Sequence, residues 1–166
     1  MPGMPGERPM IDLVLTRDRV DRRRYVLDGF GSLRLEGLSR RRAGVETPVG
    51  RFAFRRPSVW GRRIEASDEA GVVVGEYAPR TMRRGGMVRW GERRFELRAS
   101  SLWRTQYTLA DGDRELLVVE GRGWGRRPVR MRLDPDAGLD ATLVLFAAFV
   151  VHGIAQDDGA AVAAVT

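Results

Sequence analysis

The chain is 166 residues long, with 29 basic residues against 22 acidic ones, a single histidine and no cysteine, giving a formal net charge of +7. That length suits one domain with a substantial core, and an apolar fraction of 43% is too high for wholesale disorder. The absence of cysteine excludes disulfides, a thiol nucleophile and thiolate metal sites, and fits a reducing cytoplasm.

Every basic residue is arginine; lysine and asparagine are both missing. That pattern matches a GC-rich coding bias, so part of the arginine excess reflects codon usage. The distribution is uneven. All arginines lie at or before Arg132, whereas the remainder of the chain carries only Asp134, Asp136, Asp140, Asp157 and Asp158. A basic body with an acidic tail attracts phosphates or an anionic membrane surface. A merely solvated exterior accounts for the same charges.

In chain order, residues 1–10 are rich in proline and glycine and contain no apolar run, so they read as a flexible tail rather than a signal peptide or anchor. From Ile11 to Leu133 the chain alternates with period two. Leu33 and Leu35 alternate with Ser32, Arg34 and Glu36; Phe52 and Phe54 sit between Arg51 and Arg55. Phe95, Leu97 and Ala99 alternate with Glu96 and Arg98, and Val129, Met131 and Leu133 with Arg130 and Arg132. Val72–Val74 and Leu116–Val119 are more continuously apolar. Asp28-Gly29, Asp68 to Gly71, Gly85-Gly86 and Asp111-Gly112 break the runs as hairpin turns do. These are antiparallel strands with one wet face, about a dozen of them.

A shift of 43 residues places Ser58, Trp60, Ile64, Ala66 and Asp68 on Ser101, Trp103, Tyr107, Leu109 and Asp111. At the same offset Arg83-Arg84 falls on Arg126-Arg127, and Val88 to Trp90 on Met131 to Leu133. The match loosens after the turn, where Glu76 falls on Val119. Two copies of a multi-strand unit suit a closed sheet better than a solenoid, which needs at least three.

The segment Ala141 to Ala155 is apolar except for Thr142, His152 and Gly153. At about 15 residues it falls short of the roughly 20 that a bilayer span needs. A helix apolar on every side must be surrounded, and the preceding strands can surround it. Asp140 is its expected N-cap, with Gly153 or Asp157-Asp158-Gly159 its end. A 15-residue helix spans roughly 22 Å, much like strands of five to seven residues at roughly 17–23 Å. The expected fold is therefore mainly β: a closed antiparallel barrel of about twelve strands enclosing one hydrophobic C-terminal helix at about 139–155. Residues 11–158 form the single domain, followed by a tail of 159–166.

Strand after strand and then a threading helix resembles the tubby C-terminal superfamily, most of all its LURP-one-related and phospholipid-scramblase-like members. The resemblance is carried by Phe52–Trp60, by the unit from Ser58-Val59-Trp60 to Tyr77, by its echo from Ser101 to Glu120, and by Leu139–Ala155. It implies a non-enzymatic binding or scaffold domain without a cofactor. In tubby proteins basic side chains bind phosphoinositide headgroups at the membrane; no residue of that site is matched here. The cysteine-rich and calcium-binding features of scramblase-like members are missing as well.

Among individual residues, the duplicated pairs Arg83, Arg84, Arg126 and Arg127 are the candidate anion-binding site, because guanidinium forks bind phosphate bidentately. An anionic membrane surface or a phosphate-bearing ligand is the implied partner, and a cytoplasmic, peripheral location follows from it. The segment Gly121 to Arg127 mixes glycine, arginine and Trp124 as single-strand nucleic-acid binders do, leaving nucleic-acid binding and a protein-interaction scaffold as alternatives. Trp60, Trp90, Trp103 and Trp124 are expected in the core, Trp124 being the best placed for exposure. His152 stands alone, too little for a metal cluster or a catalytic triad. Asp134, Asp136 and Asp140 fit turn and helix-start chemistry better than a cation site.

Overall fold

The computed structural model describes residues 9–57, 61–80, 85–100, 106–122 and 124–165, with the side chains of the last helix described as far as Asp157. The first four strands are β1 (Ile11–Arg17), β2 (Arg24–Leu27), β3 (Gly31–Glu36) and β4 (Arg42–Thr47). Next come β5 (Gly50–Arg55), β6 (Ile64–Asp68), β7 (Val73–Pro79) and β8 (Gly85–Trp90). The last are β9 (Arg93–Ala99), β10 (Gln106–Asp111), β11 (Arg114–Glu120) and β12 (Val129–Leu133), followed by helix α1 (Ala141–Val165). Each strand pairs antiparallel with its successor, and β12 closes back on β1 from Ile11↔Leu133 to Leu15↔Val129. The protein is a closed twelve-stranded barrel around one hydrophobic C-terminal helix, as its sequence leads one to expect.

The alternation of the sequence becomes the two faces of the wall. Val129, Met131 and Leu133 of β12 are buried while Arg130 and Arg132 are exposed. Leu33 and Leu35 of β3 and Ala43 and Val45 of β4 point inward in the same way. On β10 and β11 both faces are covered: Tyr107 to Ala110 and Leu116 to Val119 are all buried. This accounts for the continuous apolar run there.

The repeat survives as structure. Ile64 and Ala66 of β6 and their counterparts Tyr107 and Leu109 of β10 are all buried, and the register slips immediately after Ala66 and after Leu109. Across those hairpins Ala66 pairs with Gly75 but Leu109 with Leu117, an offset of 42 rather than 43. The second turn is one residue shorter, which explains why the match loosens at Glu76. The offset returns at Val88 and Met131, which pair with Tyr77 and Val119. Ser58, Trp60, Ser101 and Trp103, which also carried the match, lie outside the described residues.

From Thr142 to His152 every α1 side chain is buried, so the helix has no wet face and fills the lumen. Phe146 meets Phe54 edge-on at 5.2 Å and Trp90 at 5.4 Å, and Phe149 lies 5.7 Å from Phe54. Trp90 reaches the helix by lying over Gly75, where an added Cβ would stand 2.2 Å from its ring. Asp140 is the N-cap: its Oδ1 accepts from Leu143 N at 2.8 Å, and its Oδ2 accepts from Trp90 Nε1 at 2.9 Å.

The helix is longer than the expected 139–155. Leu139 and Asp140 precede it, and it continues through Gly153 and Gly159 to Val165, into the segment read as a tail. A methyl on Gly153 would stand 3.4 Å from Ile64 Cδ1, an ordinary contact with the wall, and the helix runs on through that glycine, which is therefore not a stop. An interior glycine costs a helix only about 1 kcal/mol, and the alanine-rich sequence beyond favours continuation. No helix among the described residues is long and apolar enough to cross a membrane.

Candidate functional site

Sequential antiparallel pairing sorts the connections to two ends of the barrel. At one end lie the tight turns after β2, β4, β6, β8 and β10 and the segment from β12 into α1. Their charged residues are Asp28, Glu69, Glu92, Asp113, Asp134, Asp136 and Asp140, without a single arginine. At the other end lie the longer loops after β1, β3, β5, β7, β9 and β11. Their described residues include Arg19, Arg22 and Arg23; Arg40 and Arg41; Arg56, Arg62 and Arg63; Arg80; and Arg122, Arg126 and Arg127. The only acids described in those loops are Asp18 and Asp21.

Those two acids are already engaged. Asp18 Oδ1 accepts from the backbone N–H of Val20 and Asp21 and its Oδ2 pairs with Arg24 at 3.0 Å, which together hold its carboxyl below the usual range. Asp21 pairs with Arg34 at 2.8 Å and accepts from Arg23 N, with the same effect. Both therefore serve arginines of the wall. Arg19, Arg22, Arg23, Arg40, Arg122, Arg126 and Arg127 are exposed and have no carboxylate partner among the described residues. Helix α1 runs from the acidic end to the arginine end, the direction in which its macrodipole is favourable.

Where α1 emerges, Arg56 is nearly buried and grips Asp157 with both guanidinium nitrogens at 2.9 and 2.8 Å. Its Nε donates to Gly61 O at 3.0 Å, and Arg62 stands 3.9 Å from the same carboxylate. A cleft of about 40 Å³ opens beside this fork, lined by Arg62, Tyr77, Arg80 and Gly153. It has room for about three water molecules, and the lumen behind it is filled by the helix.

Trp124, the aromatic of the glycine- and arginine-rich segment, turns inward. Trp124 takes a left-handed conformation, φ +60°, and its ring packs 4.8 Å from Tyr25 and 4.4 Å from His152. Gly125 N donates to Tyr25 Oη at 3.0 Å. Trp124 is thus half-buried against the helix, packed on the core as expected though less enclosed than a central core residue, while Arg122, Arg126 and Arg127 remain outside. Burial, aided by the nearby Arg40, pushes the His152 imidazole down to about 4. It is neutral, with its Nε2 buried and without a hydrogen-bond partner among the described residues. It is a packing residue.

Of the four arginines singled out in the sequence, Arg126 and Arg127 are exposed on the arginine end, and Arg83 and Arg84 lie outside the described residues. Trp60 and Trp103 also lie outside them. Asp134 caps the turn at Pro135–Ala137, accepting from Asp136 N at 2.9 Å, and pairs with Arg114 at 2.9 Å. No group of three or more potential metal ligands occurs among the described residues. Sequence reasoning missed the sorting of charge between the ends, which depends on knowing which loops share an end. The available signal was loop length, since the long connections carry the arginines.

No family model matches this chain, and neither a curated protein nor a solved structure matches it.

Proposed function

We propose that this protein is a non-enzymatic, tubby-like binding barrel that docks its arginine-bearing end onto an anionic lipid surface. The observation that carries the reading is the segregation of loop charge: exposed loop arginines without carboxylate partners among the described residues crowd one end, whereas the charged residues described in the connections of the other end are all carboxylates. Such a dipole turns the arginine end toward a negative surface during approach. Each guanidinium near that surface contributes about 1 kcal/mol, screened over about 8 Å at physiological salt. The filled lumen favours an extended surface over a small enclosed ligand, and the protein accordingly works at the membrane periphery. A single-strand nucleic-acid role is less well supported, because Trp124 packs against Tyr25 and His152 instead of offering a stacking platform.

Co-sedimentation with vesicles at physiological salt tests the proposal. The protein is expected to pellet with phosphatidylserine-containing vesicles, to stay in solution with pure phosphatidylcholine, and to be released as salt rises. Equal and negligible pelleting with both compositions would end it.

A further inference from the structure

Two apolar side chains are far more exposed than their chemistry favours. Leu38 is 99% exposed and Val20 94%, above every other large apolar residue described; the next, Val49, is 72% exposed and sits at the acidic end. Val20 lies in the β1–β2 loop and Leu38 in the β3–β4 loop. Because β2 pairs with β3, these two loops are neighbours on the arginine end.

Local geometry holds both tips outward. Asp18 accepts from Val20 N at 2.7 Å and from Asp21 N at 3.2 Å, closing a turn that projects Val20. Leu35 N donates to Arg23 O at 2.9 Å, and Arg34 to Asp21 at 2.8 Å, so the wall beneath one loop anchors the other. Beyond Leu38 the chain turns through Arg40 in a left-handed conformation, φ +52°. Each apolar tip is flanked by exposed arginine: Arg19 and Arg22 beside Val20, Arg40 beside Leu38. This is the arrangement that suits an anionic bilayer, with cations at the phosphates and apolar groups sinking about 5–10 Å toward the acyl boundary.

Resting on the lipid-docking reading above, we infer that Val20 and Leu38 are membrane-inserting tips that enter the apolar layer of an anionic bilayer when the arginine end docks. The arginines select the surface and orient the barrel; the two tips set its depth and tilt. The β1–β4 sector of the rim is then the leading edge.

The chain contains no cysteine, so Val20→Cys, Leu38→Cys and Val49→Cys each give one attachment point for an environment-sensitive fluorophore. With mixed phosphatidylcholine and phosphatidylserine vesicles, the labels at 20 and 38 are expected to shift to the blue and brighten several-fold, and that at 49 to stay unchanged. Unlabelled Leu38→Ser, which changes no charge, should melt like wild type yet bind the same vesicles about tenfold or more weakly, from the lost apolar burial. Labelled protein that pellets with vesicles without a change at 20 and 38 overturns insertion and leaves docking intact. Equal changes at all three positions also overturn it. Failure of the labelled and the wild-type protein to pellet overturns docking and insertion together.

Discussion

Replacing Phe146 with alanine tests how firmly the helix is held inside the wall. Its ring is fully buried, edge-on to Phe54 at 5.2 Å and tilted on Trp90 at 5.4 Å. Removing a buried aromatic side chain costs about 3–5 kcal/mol, depending on how far the surroundings can collapse into the space. Here they can collapse little, because the wall is a ladder of strand pairs closed on itself and cannot narrow without breaking its register. The expected loss therefore lies at the upper end, about 4–5 kcal/mol, a large share of the roughly 5–15 kcal/mol that holds a domain folded. Urea unfolding followed by tryptophan fluorescence measures it, with Leu38→Ala, at a side chain in open solvent, as the neutral control. A cycle with Phe54→Ala should also show coupling of about 1 kcal/mol, since the two rings touch. A loss below about 1 kcal/mol for Phe146→Ala would refute the reasoning, because a helix lying against the outside of the wall would behave that way.

Two further outcomes follow from side chains at the helix ends. Asp140→Ala removes the cap on Leu143 N and the acceptor for Trp90 Nε1, and should cost about 1–2 kcal/mol in a thermal or urea melt, with Asp140→Asn recovering much of it; an alanine variant as stable as wild type contradicts the assignment. His152, held down to about 4 from 6.5, leaves the folded protein binding fewer protons than the unfolded chain between those values. Stability should be flat in this respect above pH 6.5 and fall as pH drops through the window, by about 3 kcal/mol in all. His152→Phe should lose that part of the acid slope, and identical slopes in the two proteins would disprove the buried, neutral imidazole.

Much of the architecture was legible because each residue needed to be read only against its neighbours. Val129, Met131 and Leu133 announce a strand by alternation, and Leu143 to Val151 a surrounded helix by having no polar face. Asp140 announces a cap by its place. Even the loosened repeat at Glu76 recorded a real event, a turn shortened by one residue between Leu109 and Leu117. Legibility stopped where the answer depended on closure. Gly153 reads as a helix stop until the helix is seen to run on through it, enclosed by the wall beside Ile64. Trp124 is expected in the core, but its partners Tyr25 and His152, and the left-handed backbone that turns its ring onto them, appear only once the barrel is closed. The sequence offered the candidate site as Arg83, Arg84, Arg126 and Arg127, of which Arg126 and Arg127 are described, exposed on the arginine end. That Arg19, Arg23 and Arg40 share their end of the barrel follows from strand direction and order, which local patterning does not encode.

The most direct test of the functional account compares two triple variants that remove the same charge from different places. Arg40→Gln/Arg126→Gln/Arg127→Gln strips exposed arginines from the loops of one end, and Arg51→Gln/Arg94→Gln/Arg132→Gln strips exposed arginines from the wall near the other. Partition onto phosphatidylserine-containing vesicles at physiological salt should fall by about 3 kcal/mol, roughly 100-fold, for the first variant and by less than tenfold for the second. Equal losses would mean that net charge alone drives binding, and the arginine end would no longer be the docking face.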